Sequence, residues 1–272
     1  MSTVSLGSKR PGPATSGQSQ TVQSCACTVP HRTTHCASPY DAATSLTHEF
    51  AEFIHVCKRN SPDFNQCIIN SVEQLKPALE TGVEGFFPSL EPLMMEELLV
   101  TEGNGFRIVG KNVKTYGCSN FRILNMNADP DNFKFEFDLE LPLLYTVAEY
   151  DVSGRILLIP IKGNGPLNGN WTDCKAHVVL EGELEERNGH KFPKFNTLKI
   201  NLTVGKGTVQ LQNLFGGDRV LGNAVNFAIN SNFGQVLREL QHPIEKALED
   251  TMLEISNDCV RGFTLEQLCP LE

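Results

Sequence analysis

Between residues 133 and 141 the chain alternates without a miss. Phe133, Phe135, Phe137, Leu139 and Leu141 are apolar, and the residues between them, Lys134, Glu136, Asp138 and Glu140, are charged. A period of two marks a strand with one face buried, so the pattern predicts three phenylalanines on one face of a sheet. Residues 155–161, 174–184, 195–204 and 207–215 also suit strands. Turn-forming segments separate them, among them Asp151-Val152-Ser153-Gly154 and Arg187-Asn188-Gly189. Successive strands joined by short turns imply an antiparallel meander over about residues 104–215.

Helical periodicity flanks the strands on both sides. Asp63 followed by Gln66 suits the start of a helix in which Ile68, Val72, Leu75 and Leu79 recur, with Gly82 ending it and Pro77 kinking it. An apolar connector stiffened by Pro88 and Pro92 follows. Near the other end Asp218 can cap a second helix. In it Val225, Ile229, Phe233, Val236, Leu240, Ile244, Leu248, Met252 and Ile255 recur every three or four residues. About 40 residues would span roughly 60 Å, with a kink near Pro243. So long an apolar stripe needs an apolar partner of equal length, and the sheet is the one candidate. The expected fold is α+β: a long C-terminal helix wrapped by a strongly curved antiparallel sheet that encloses an elongated hydrophobic tunnel.

The first 45 residues differ in composition, with 15 Ser or Thr and scattered Pro, Gly and Gln. Such a segment buries too little apolar area to offset the entropy of ordering. It also lacks the apolar stretch of a signal peptide. Residues 1–52 therefore read as a disordered or atypical head, and 53–272 as the domain. Cys25, Cys27, His31, His35 and Cys36 resemble a metal-ligand cluster but lack a structured turn, so no metal is assigned. Charge narrows the function. The formal net charge is −9, which argues against nucleic acid as a partner, and no apolar run reaches the roughly 20 residues of a membrane span. Catalytic signatures are missing: there is no Gly-x-Ser-x-Gly elbow, and His48-Glu49 lacks the second histidine of a zincin helix. The chain reads as a non-enzymatic protein with no cofactor.

Several segments, taken in order, resemble the insect takeout and juvenile-hormone-binding protein family over about residues 53–272. They are Cys57 and Cys67 around the first helix start, Pro88-Ser89-Leu90-Glu91-Pro92-Leu93, Gly154 to Ile161 with Gly163-Asn164-Gly165, Asn213-Leu214-Phe215-Gly216-Gly217-Asp218, and Leu240-Gln241-His242-Pro243-Ile244. The resemblance implies a monomeric tubular domain carrying juvenile hormone, a related isoprenoid or a fatty-acid-like lipid. It also implies secretion, although no signal peptide is visible in residues 1–45, and a link to circadian or feeding-related signalling. With it comes a Cys57–Cys67 disulfide. Six of the nine cysteines lie in the domain, and Cys118 with Cys174 and Cys259 with Cys269 follow only by elimination. The sequons at Asn170 and Asn201 fit an extracellular route, the first in a Gly/Asn-rich loop and the second on a water-facing strand face. The alternative is an intracellular scaffold with reduced thiols.

A carrier needs an apolar wall, a few polar anchors and a gate. Phe86 and Phe87, in the connector after the first helix, are the candidate gate. Phe133, Phe135 and Phe137 either line the tunnel or form ordinary core, and the same holds for Phe227 and Phe233 on the long helix. Tyr145 or Tyr150 could hydrogen-bond a polar head group.

Overall fold

The computed structural model describes residues 55–271 except 85, 86, 104, 105 and 157, and leaves aside the side chains of 100–103 and 106; the described residues lie in one compact unit. The head expected at 1–52, with its Cys/His cluster, and Phe86 of the connector lie outside them.

Helix α1 runs Phe64–Thr81 and ends at Gly82, with Pro77 inside it. Asp63 occupies its N-cap position but makes no side-chain cap bond. The expected partner Gln66 turns instead to Asn70, one helical turn on. The chain then builds six strands: β1 Leu93–Gly103, β2 Phe106–Tyr116, β3 Arg122–Asp129, β4 Lys134–Ile156, β5 Ile159–Arg187 and β6 His190–Leu211. All pairs are antiparallel, in the order β1-β2-β4-β5-β6, with β3 lying against the first part of β4. The sheet therefore begins earlier than the expected residue 104, and three of its strands, at 23, 29 and 22 residues, are far longer than average.

Two expected turns fare differently. Arg187-Asn188-Gly189 is a tight hairpin: Arg187 pairs with His190, and Asn188 and Gly189 have φ of 53° and 80°, the left-handed pair that a two-residue hairpin demands. Asp151 to Gly154 is strand, not turn. The chain reverses instead within the predicted strand 155–161, where Ile156 pairs with Ile159.

The C-terminal part holds three helices, α2 Arg219–Ser231, α3 Phe233–Val260 and the short α4 Leu265–Leu268. Asp218 caps α2 as expected, its carboxylate accepting from the N–H groups of Val220 and Leu221. The single long helix is in fact two: Asn232, at φ −117° and ψ 25°, interrupts it, while Pro243 is carried inside α3. The apolar period continues across the interruption, which is why it hides in the sequence.

A row of polar helix residues ties α2 and α3 to β6, the free edge of the sheet. Asn226 and Asn230 each accept from and donate to the backbone of one strand residue, Leu211 and Val209. Glu245 and Glu249 accept from the N–H of Leu202 and Ile200, Gln241 donates to the Leu202 carbonyl, and Asn257 both accepts from and donates to Phe195. The side chains thus stand in for a missing neighbour strand and satisfy backbone groups that an edge leaves open. Because α3 also packs on β1 at the opposite edge, the curled sheet and helix close on each other.

Candidate ligand-binding site

The face of the sheet turned toward the helices changes parity partway along. On β5 the even residues Cys174, Val178 and Leu180 are buried, whereas nearer the β4–β5 hairpin the odd residues Ile161 and Trp171 point inward. The reversal falls at an unpaired position that lines up across three adjacent strands. Pro142 on β4, Asp173 on β5 (φ 55°) and Gly205 on β6 have no pairing partner, while the register continues unchanged on both sides. A side chain at 205 would put its Cβ 2.7 Å from that of Asp173, so only glycine fits the crease.

Beyond the crease on one side, Phe133, Phe195, Val178, Leu180 and Leu198 form a packed cluster, joined by Phe135, Phe137, Met252 and Leu253. Phe133 stacks on Phe195 at 4.6 Å between centroids and meets Phe135 edge-on at 5.4 Å. On the other side Tyr150, Val152, Ile156, Ile161, Leu211, Val225, Ile229 and Val236 pack together. The void among them measures about 10 Å³, no more than a single water needs. Between these two packed ends, Leu141, Leu144 and Val204 on the sheet and Leu237, Ile244 and Leu248 on α3 belong to neither cluster and stay half-buried. This middle stretch of apolar surface is the candidate site.

Three polar groups stand in it. The Trp171 indole N–H donates to the Thr146 hydroxyl at 3.1 Å, and the hydroxyls of Thr146 and Thr115 share a hydrogen bond at 3.1 Å. Two hydroxyls carry two protons. The shared bond consumes one, and the other is free to donate to a ligand. The Trp171 ring leans on Phe233, 6.0 Å away. Gly207 makes room for this contact, since a Cβ there would lie 2.3 Å from the Phe233 ring.

The structure sorts the other expected ligand residues. Phe133, Phe135 and Phe137 serve the packed end, and Phe233 borders the middle. Phe227 points away from the interior and is 74% exposed, which removes it from any inner wall. Tyr145 lies on the outer face, its hydroxyl on Asn168. Tyr150 is buried, but its hydroxyl already donates to the Gln212 carbonyl, and burial pushes its pKa up to about 12. Neither tyrosine is placed to anchor a head group. Phe87 packs on Phe263 among residues of α1, which docks that helix against the C-terminal segment. Trp171 escaped notice in the sequence because it stands inside a sequon, although a lone tryptophan on an inward strand position is a usable signal.

Cys57 and Cys67 are bonded, with S–S 2.05 Å. The two pairs reached by elimination do not form: Cys118, Cys174, Cys259 and Cys269 are free thiols. Three of them are already placed by other contacts. The Cys118 thiol donates to the Thr115 carbonyl, Cys174 is 1% exposed beside the crease, and Cys259 packs with Phe87 and Phe263. Burial pushes the pKa of Cys118 up to about 12 and those of the other three up to about 11. Asn170 and Asn201 are exposed, but Asn170 lies within β5 rather than in a loop. A separate open surface groove of about 320 Å³ lies beside the disulfide, lined by His55, Asp63, Gln66, Cys67, Asn70 and Gln74.

Comparison with known proteins agrees with this geometry. Over 207 residues, 70% of this chain and 78% of the relative, it is 23% identical to the circadian clock-controlled protein daywake of Drosophila melanogaster. A putative beta-carotene-binding protein of Schistocerca gregaria is 22% identical over 220 residues, 80% of this chain and 88% of that protein. The crystal structure of Takeout 1 from Epiphyas postvittana superposes with a TM-score of 0.69 at 20% identity, covering 79% of this chain and 99% of the other, and shows the same curled sheet with C-terminal helices. The profile of the haemolymph juvenile hormone binding proteins matches residues 35–270, and with a match across nearly all of its length the chain belongs to that family.

Proposed function

We propose that the chain is a secreted, monomeric, non-enzymatic carrier of a small apolar ligand with a hydrogen-bond-accepting head group: juvenile hormone, a related isoprenoid ester or a fatty-acid-like lipid. The observation that carries this reading is the half-buried apolar stretch between two packed ends, furnished with one hydroxyl pair braced by Trp171. Burying a 15-carbon chain contributes on the order of 12 kcal/mol at about 0.8 kcal/mol per methylene. Loss of translational and side-chain freedom offsets much of it, which leaves micromolar to nanomolar affinity. The family's name and the putative beta-carotene-binding relative support an apolar, isoprenoid-type ligand, and the circadian clock-controlled relative supports a clock-linked role. The Cys57–Cys67 bond and two exposed sequon asparagines support secretion and glycosylation. The four free thiols are what an intracellular scaffold would need, and the disulfide weighs against that alternative.

The test is to express the full chain in insect cells, purify it without detergent and analyse the organic extract by mass spectrometry. A stoichiometric isoprenoid or fatty acid is the expected result. An extract without lipid, together with no saturable binding of an anthroyloxy-stearate probe, would overturn the proposal.

A further inference from the structure

Helix α2 is apolar on the side away from the core as well as on the side facing it. Val225 and Ile229 are buried, yet Val220, Leu221 and Phe227 are 80%, 50% and 74% exposed. Val220, Ala224 and Phe227 follow at spacings of four and three, so they share one solvent-facing stripe opposite the buried one. The β4–β5 hairpin packs on the inner side of this helix through Ile156 and Ile161, and its tip presents Leu158, 88% exposed with φ 67°. An apolar end of this kind on a water-soluble surface marks an interaction site.

Charge identifies the occupant. In a chain of net charge −9, residues 153–162 and 219–231 contain three basic side chains, Arg155, Lys162 and Arg219, and no acidic one. All three are exposed. The neighbouring Asp218 carboxylate, which accepts from the N–H groups it caps, keeps its charge and leaves this end with an excess of two basic groups. Two copies meeting through this end about a two-fold axis would bring basic groups onto each other, whereas an anionic lipid surface would neutralise them while taking up the apolar residues. We propose that this end of the molecule, built from α2 and the β4–β5 hairpin, docks on membranes rich in anionic lipid. The docking stands on surface residues alone and does not depend on a bound cargo.

The experiment is co-sedimentation of the full chain with phosphatidylcholine vesicles, with and without phosphatidylserine, at low and raised salt. Binding is expected only with phosphatidylserine and should weaken as salt rises. Two independent double variants, V220S with F227S and R155Q with K162Q, should each weaken it by about tenfold or more. L158S provides a third reading if either pair folds poorly by circular dichroism. Equal binding to both vesicle types, or folded variants that bind like the parent chain, would overturn the proposal. So would a dimer of the parent chain that F227S dissociates, which would assign this face to a second copy.

Discussion

Thr115 and Thr146 face each other across β2 and β4, and their shared bond leaves one hydroxyl proton over. Replacing Thr115 and Thr146 together by Val removes both hydroxyl protons, and the spare donor with them, while keeping shape. Affinity for an isoprenoid methyl ester should fall about tenfold, equivalent to about 1.4 kcal/mol, while affinity for the parent hydrocarbon stays unchanged, as measured by competition against a fluorescent probe. Equal losses for both ligands would show that the pair only shapes the wall. Glu91 shows the opposite use of a polar group. Burial pushes its carboxyl up, but hydrogen bonds from the Gly117 and Ser119 N–H groups and the Ser119 hydroxyl outweigh this and hold it below the ordinary value of 4.5. A lowered folded-state pKa stabilises the fold above the unfolded value and ceases to do so as pH falls through the folded one. Denaturation midpoints should therefore drop below about pH 4.5, and Glu91→Gln should flatten that part of the profile.

At the level of elements, the polar row on α2 and α3 is the feature that closes the tube. Asn257→Ala strips both bonds from Phe195 and should cost about 2–3 kcal/mol in urea unfolding. Amide exchange at Ile200, Leu202, Val209 and Leu211 should be slow although β6 is an edge, and fast exchange there would show that the helix side chains do not hold the strand. The elements themselves were partly legible in the sequence. The alternation through Phe133–Leu141 identified a strand because one face packs against a helix, and Asn188-Gly189 announced its turn because few residues adopt two successive positive φ values. The hairpin at Leu158 was hidden because its tip is apolar where turns are normally polar, and Gly154 read as a turn although it lies in a strand. The parity change at Pro142, Asp173 and Gly205 is invisible residue by residue. It exists only where three strands align, and it sets which alternate residues of each strand point inward. The polar trio was hidden for the same reason, since Thr115, Thr146 and Trp171 are not neighbours in sequence and meet only through register.

For the whole molecule, the Cys57–Cys67 bond closes a short loop at the start of α1, whose connector Phe87 packs on Phe263 near the C-terminus. Removing it by C57A/C67A should lower stability by about 2–3 kcal/mol, read as a lower Tm, while probe affinity is retained if the middle stretch is the site. The pairing of helix with edge strand carries a further consequence. Contacts recur every second residue on β6, as at Ile200 and Leu202 or Val209 and Leu211, and every fourth on the helices, as at Glu249 and Glu245 or Asn230 and Asn226. Two strand residues advance about 6.6 Å and four helical residues about 6 Å, so the two rows mesh like a rack and pinion. An insertion in one element alone would throw the teeth out of step. Lengthening the interior therefore takes a matched pair of insertions, two residues in the strand and four in the helix, so chambers in relatives should differ by quanta of about one helical turn.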